Sequence, residues 1–258
     1  MSAGRFSLAG RRALVTGASA GIGRAVAMAL AEHGAELVLH HFADADGAAG
    51  LADSVGGALC LEADFTSAHD TTAFADRALA AGPIDILIWN AAIERRGPWD
   101  RLAERDIADT ISANFSAFLT VAGALVPQMA ARGWGRVVAT GSVLSARPRA
   151  ETVVYAALKS AQRTAVRAIA REVAASGVTM NIVSPGAIET EANAHRYADG
   201  ELRRKITAKI PAGRHGRPDD LAGAYVFLCS DGAAYVTGAD IPIDGGWSIG
   251  DAPEGSGT

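Results

Sequence analysis

The chain has 258 residues, 49% hydrophobic and 20% charged, and its 24 basic and 28 acidic side chains leave a formal net charge of -4. That length suits one α/β domain around one large core, and charges spread without a basic block argue against nucleic acid or an anionic membrane as the main partner. The two cysteines, Cys60 and Cys229, sit far apart in apolar runs, which is neither a disulfide framework nor metal-ligand spacing, so a reducing cytoplasm, no metal and a small-molecule partner are expected.

Residues 1–12 lack an apolar stretch of signal-peptide length, and no later segment reaches about 18 unbroken apolar residues, so neither targeting nor anchoring is expected. Short apolar runs then alternate with helical patterns. Strands are predicted at 12–15, 36–40, 58–61, 84–88, 135–140, 179–183 and 240–243. Helices are predicted to begin near positions 21, 46, 68, 104, 152 and 219, where apolar residues recur three and four apart. Strand–helix alternation with right-handed crossovers implies a doubly wound, Rossmann-like, seven-stranded and mostly parallel sheet with helices on both faces, in a single domain. The polar, charged segment 189–211 interrupts the last crossover and is expected to be a lid over a substrate or a solvated loop. The Gly-rich tail 251–258 is expected to be loosely held.

The first strand runs directly into Thr16-Gly17-Ala18-Ser19-Ala20-Gly21-Ile22-Gly23 and then a helix. Glycines at 17, 21 and 23 let the backbone turn tightly and approach a pyrophosphate, while the helix start offers free N–H groups to the anion. The second strand ends at His40-His41-Phe42, where an acidic residue would bind a ribose 2′-hydroxyl and a basic one a 2′-phosphate. Without a carboxylate there, NADP meets no repulsion. His41 is either a weak phosphate donor or, like His40, a surface strand-end residue. Asp64, past the third strand, either accepts from an adenine amino group or caps the helix near Ala68.

The strand at 135–140 ends in Gly141-Ser142, and Tyr155-Ala156-Ala157-Leu158-Lys159 follows. Tyr155 and Lys159, four apart on a helix, share one face. A phenol ionises near pH 10, so forming phenolate at neutral pH costs about 4 kcal/mol unless a fixed cation stabilises it. Either Lys159 supplies that cation, with Ser142 holding a substrate oxygen while Tyr155 gives or takes its proton, or the pair belongs to a solvated face or ordinary packing and Ser142 is a strand-end or turn residue.

These pieces, with Asn90-Ala91-Ala92, Asn114, Pro185-Gly186 leading to Thr190, and Asp244-Gly245-Gly246, resemble the short-chain dehydrogenase/reductase family in order and separation over nearly the full length. The resemblance is to the compact members that include 3-oxoacyl carrier-protein reductases and sugar, polyol and steroid dehydrogenases. It implies an NAD(P)-dependent oxidoreductase acting on a carbonyl or secondary alcohol, with Asn114, Ser142, Tyr155 and Lys159 as the catalytic set. It further implies that Asn114 holds a water in a proton relay behind Lys159, that Lys159 bonds the nicotinamide ribose, that Ile188 and Thr190 fix the carboxamide, and that Asp64 and Phe65 meet the adenine. The expected cofactor contacts are Gly17, Ser19, Ala20, Gly21, Ile22, Gly23, His41, Asp64, Phe65, Asn90, Ala91, Ala92, Tyr155, Lys159, Pro185, Gly186, Ile188 and Thr190.

Departures from the family's pattern bear on the cofactor. Trp89-Asn90-Ala91-Ala92 stands where the family often has Asn-Asn-Ala-Gly, which adds a methyl to the loop and is expected to displace it slightly. Ala20 replaces the basic residue of many NADP-preferring members, and His41 the acidic residue of many NAD-preferring ones. The balance leans to NADP. Glu94, Arg95, Arg96, Arg147, Arg149, Glu191, Asn193 and His195 lie near the expected substrate edge, where arginines suit a carboxylate, phosphate or polyhydroxylated substrate; each is equally readable as a solvated loop charge. The long helical stretches 104–132 and 152–175, rich in small apolar residues, resemble the family's pairing faces and imply a homo-oligomer, dimer or tetramer.

Overall fold

A computed structural model describes residues 4–198 and 200–252, without the side chains of His195 and Arg196. Most of the tail expected to be loose, 253–258, therefore lies outside the described residues. The strands are β1 (Arg12–Val15), β2 (Glu36–His41), β3 (Leu59–Glu62), β4 (Ile86–Trp89), β5 (Gly135–Thr140), β6 (Val178–Pro185) and β7 (Asp240–Ile243). They form one sheet in the order β3-β2-β1-β4-β5-β6-β7, and each neighbouring pair is parallel. The chain steps outward from β1 to β3 and returns to the other side of β1 as β4. A crevice therefore opens at the carboxyl ends of β1 and β4, where α/β sheets bind ligands.

Alternate strand residues bury opposite faces, as the pleat requires. Leu14, Val38, Leu87, Trp89, Val137 and Met180 face one layer, built by α3 (Ala68–Ala80), α5 (Ala117–Ala131) and α6 (Val153–Val173). Ala13, Val15, Leu39, Ile88, Val138 and Val183 face the other, built by α1 (Gly21–Glu32), α2 (Ala45–Ser54) and α9 (Asp219–Cys229). The hydroxyl of Ser67 caps α3, accepting from the Asp70 N–H at 3.2 Å. Asp64 does not cap it; its Oδ1 accepts from the Thr66 N–H and hydroxyl at 2.9 and 2.8 Å.

Two predicted regions differ in form. A five-residue π turn, Ser112–Ser116, joins α4 (Glu104–Ile111) to α5, so the helix predicted from position 104 continues to 131 with its register shifted midway. By length and composition this 28-residue run could cross a membrane, yet half of its most apolar window is buried in the fold, and Phe118, Val121, Leu125 and Met129 pack into the core. The segment 189–211 is largely helical, with α7 (Ala194–Ala198) and α8 (Gly200–Thr207). Its apolar residues are sparse but directed, since Tyr197 and Ile210 are buried while Lys205 pairs outward with Glu201 at 2.5 Å.

Candidate active site

The glycine turn occupies the crevice. Gly17 and Gly21 adopt φ of +61° and +54°, which glycine alone enters readily. A Cβ on Gly23 would strike the Gly17 carbonyl oxygen. Ala20 precedes α1 and offers no side-chain cap, so the first N–H groups of the helix stay available to an anion. Asn90 stitches this turn to β4: its Nδ2 donates to the carbonyls of Thr16 and Gly17 at 3.2 and 3.1 Å, and its Oδ1 accepts from the Thr140 hydroxyl at 3.2 Å. Neither Ala91 nor Ala92 has a positive φ, so the extra methyl introduces no left-handed strain. Gly17, Ser19, Asp64, Phe65, Asn90 and Ala92 line one cleft of about 460 Å³.

The reading of His40 and His41 as surface residues is corrected, because they are 2% and 6% exposed. His40 lines this cleft. His41 points to the opposite side of β2, with its Nδ1 buried and unpartnered.

Across the sheet edge, Ser142 lies just beyond β5, and Tyr155 and Lys159 lie on α6. The Ser142 Oγ accepts from the Leu144 N–H at 3.1 Å and shares a cleft with the Tyr155 phenol. The Lys159 Nζ lies 5.5 Å from the Tyr155 ring centre and donates to the Thr140 carbonyl at 2.7 Å. Burial pushes the Tyr155 phenol above its ordinary range, reinforced by Glu94 and opposed by Arg96 and Ser142. Burial alone brings Lys159 down to about 8. Asn114 sits in the π turn with its side chain spent, Oδ1 accepting from the Ile93 N–H and Nδ2 donating to the Ile93 carbonyl, each at 2.8 Å.

The end of β6 closes the crevice. A Cβ on Gly186 would lie 2.7 Å from the Asp244 Cα, so only glycine permits that approach. Ile188 is buried, bridging to Gly216, and Thr190 faces the glycine turn, its Cγ2 3.3 Å from where a Gly21 Cβ would stand. Glu189 ties the two ends of the helical segment together: its carboxylate meets His215 Nε2 at 2.6 Å and Arg203 at 3.6 Å, with Tyr197 stacked on His215.

A second cleft, of about 280 Å³, holds Ser142 and Tyr155 together with Ile22, Pro185, Gly186 and Thr190. Its far walls combine charge, from Glu94, Arg96 and Arg149, with apolar Leu144, Ile206 and Trp247. Glu94 and Arg96 pair at 2.9 Å. Of the other expected substrate-edge arginines, Arg147 is occupied by the Trp247 carbonyl and Asp251, and Arg95 lines the Gly17 cleft instead. The His195 side chain lies outside the described residues. Trp247 and Ile206 had no sequence signal as wall residues, since neither belongs to a motif.

A family model described as Enoyl-(Acyl carrier protein) reductase matches residues 17–248. The chain is 36% identical to gluconate 5-dehydrogenase of Gluconobacter oxydans, covering 95% of this chain and 97% of that protein. It is also 36% identical to 3-oxoacyl-[acyl-carrier-protein] reductase of Escherichia coli, over 92% and 97%. The chain belongs to the short-chain dehydrogenase/reductase family. Among solved structures of similar fold is a 3-oxoacyl (acyl-carrier-protein) reductase from Agrobacterium tumefaciens with NADP bound (TM-score 0.91, 35% identity, covering 95% of this chain and 97% of that one). Another is a gluconate 5-dehydrogenase from Burkholderia cenocepacia with NADP and tartrate (TM-score 0.89, 35% identity, 96% and 99%). As a short-chain dehydrogenase/reductase the chain is an NAD(P)-dependent oxidoreductase of CH–OH groups. Its own residues fit a dinucleotide: close packing at Gly23 admits no side chain, the α1 start is uncapped, and the two clefts meet the glycine turn from either side.

Proposed function

We propose that the chain interconverts a ketone and a secondary alcohol on a small hydroxylated carboxylic acid, with NADP as cofactor. The observation that carries this reading is the cleft in which Ser142 and Tyr155 face the Glu94–Arg96 pair and Arg149. An arginine there suits a carboxylate, and a carboxylate side chain suits substrate hydroxyls. NADP is favoured over NAD because β2 itself ends in His40-His41, followed by Phe42, without the acidic residue that would bind a ribose 2′-hydroxyl, and NADP accompanies the relatives described above.

The chemistry that a bound dinucleotide would supply is the giving or taking of a hydride. Gly17, Gly21, Gly23 and the α1 start would hold its phosphates, Asp64 and Phe65 its adenine side, and Ile188 and Thr190 its nicotinamide end. Ser142 holds the substrate oxygen, and Tyr155 delivers a proton to it or withdraws one. The Lys159 ammonium lowers the energy of the phenolate left behind. With both ends of its amide tied to Ile93, the Asn114 side chain is not free to hold a water behind Lys159. The helical segment at 189–211 acts as a lid fastened by Glu189 and His215. Exposed Ile111, Leu119 and Val153 form part of a face that meets a second copy.

A second reading, 3-oxoacyl thioester reduction, is favoured by the apolar wall of Leu144, Ile206 and Trp247. A panel of keto sugar acids, uncharged keto polyols and 3-oxoacyl thioesters, assayed by NADPH and NADH oxidation, separates the two. Turnover is expected first with keto sugar acids, and Arg96→Met should raise their KM about tenfold or more through loss of a charge-assisted contact. Thioester turnover that is indifferent to Arg96→Met, with keto acids inert, would establish the second reading.

A further inference from the structure

His40 has no part in the chemistry above, yet both of its nitrogens are engaged. The ring lies flat on Phe65, with centroids 4.1 Å apart and planes 11° from parallel, and Phe74 stands edge-on to it at 5.0 Å. The Gly17 N–H lies 3.0 Å from Nδ1 and the Ala63 carbonyl oxygen 3.1 Å from Nε2. An amide only donates and a carbonyl only accepts, so a single neutral tautomer satisfies both: Nε2 carries the proton and Nδ1 offers its lone pair. Burial, with further help from His41 and Arg77, holds the imidazole down to about 4 against a weaker opposing pull from the Ala63 carbonyl.

The two anchor points matter more than the ring itself. Gly17 is the residue on which the phosphate-facing turn pivots, at φ +61°. Ala63 immediately precedes Asp64 and Phe65, the opposite wall of the same cleft. We propose that His40 is a positioning residue for the dinucleotide, a neutral imidazole strut that sets the spacing between the glycine turn and the end of β3 before the cofactor arrives. A mobile turn would have to be ordered on binding, and that ordering would weaken affinity. The inference rests on the reading of this cleft as the dinucleotide site.

The test is NADPH titration by fluorescence for wild-type protein, His40→Phe and His40→Asn, with kcat at saturating NADPH. His40→Phe keeps a ring on Phe65 and removes both hydrogen bonds, so affinity should fall about tenfold, as expected for one strong contact and added disorder, while kcat at saturation stays within about twofold. His40→Asn, whose amide oxygen reaches the Nδ1 position, should recover about threefold or more of that loss. Equal affinity in His40→Phe and wild type, or a fall in saturated kcat as large as the fall in affinity, overturns the proposal. Nitrogen NMR of the wild-type ring serves if the variants do not fold. A proton on Nε2 with Nδ1 bare is the expected result, and a proton on Nδ1 overturns the strut. Wild-type protein that binds no NADPH would instead defeat the dinucleotide reading itself.

Discussion

Lys159→Met should yield a protein that is more stable and far less active. Lys159 is 3% exposed, and the only hydrogen bond of its ammonium among the described residues is to the Thr140 carbonyl. The drop from 10.5 to about 8, at about 1.4 kcal/mol per pH unit, corresponds to about 3 kcal/mol of burial penalty on the charged form. Methionine has similar length and no charge, so that penalty disappears. The Thr140 carbonyl loses its donor, which returns about 1 kcal/mol. The net gain is about 2 kcal/mol at pH 7, or about 4–8 °C in Tm for a chain of this size. Between pH 8 and 10.5 the unfolded lysine holds its proton more firmly than the folded one. Wild-type stability therefore rises across that window, while the variant has no such group, and its advantage should shrink. Urea unfolding at pH 7 and pH 9.5 reads both effects. Turnover should fall at least about 100-fold, because the phenolate loses its fixed cation. A folded variant that is less stable than wild type at pH 7, or an advantage that does not narrow with pH, would refute the reasoning.

Tyr155→Phe removes the proton donor without altering the glycine turn, so kcat should fall about 10²–10⁴-fold while NADPH affinity, measured by titration, stays within about threefold; retention of most activity would assign the proton to another group. Glu189→Gln weakens the fastening of the helical segment to His215 and Arg203. It should speed amide hydrogen exchange in α7 and α8 and raise substrate KM more than it lowers kcat, and unchanged exchange there would show that the fastening is incidental.

The parallel sheet was legible because each strand is a short apolar run between helices of period 3.6, and β1, β5 and β7 begin and end where the pattern places them. Strands β3, β4 and β6 shift by one to two residues, since flanking residues such as Glu62, Trp89 and Pro185 join ladders that only tertiary pairing defines. Spacing alone brought Tyr155 and Lys159 together, because four residues on a helix are a fixed distance. It could not show that Ser142 shares a cleft with Tyr155, which depends on how α6 packs over β5. The π turn at Asn114 left no trace in periodicity, because one extra residue in a helix resembles noise over so short a span. His40 was misjudged for a related reason: a histidine at a strand end looks exposed until Phe65 and Phe74, more than twenty residues away, cover it. The helices within 189–211 were obscured by a high charge density, with only two buried apolar side chains, Tyr197 and Ile210, among the described residues of the segment.

The account depends above all on a hydride reaching a substrate carbon beside Tyr155. Incubating the protein with NADPH deuterated at the nicotinamide C4 and a keto sugar acid, then locating the label by mass spectrometry and NMR, tests this directly. One deuterium on the new carbinol carbon, absent when Tyr155→Phe replaces the wild type, is the expected result. Tight NADPH binding with no deuterium transferred to any keto acid or 3-oxoacyl thioester would contradict it.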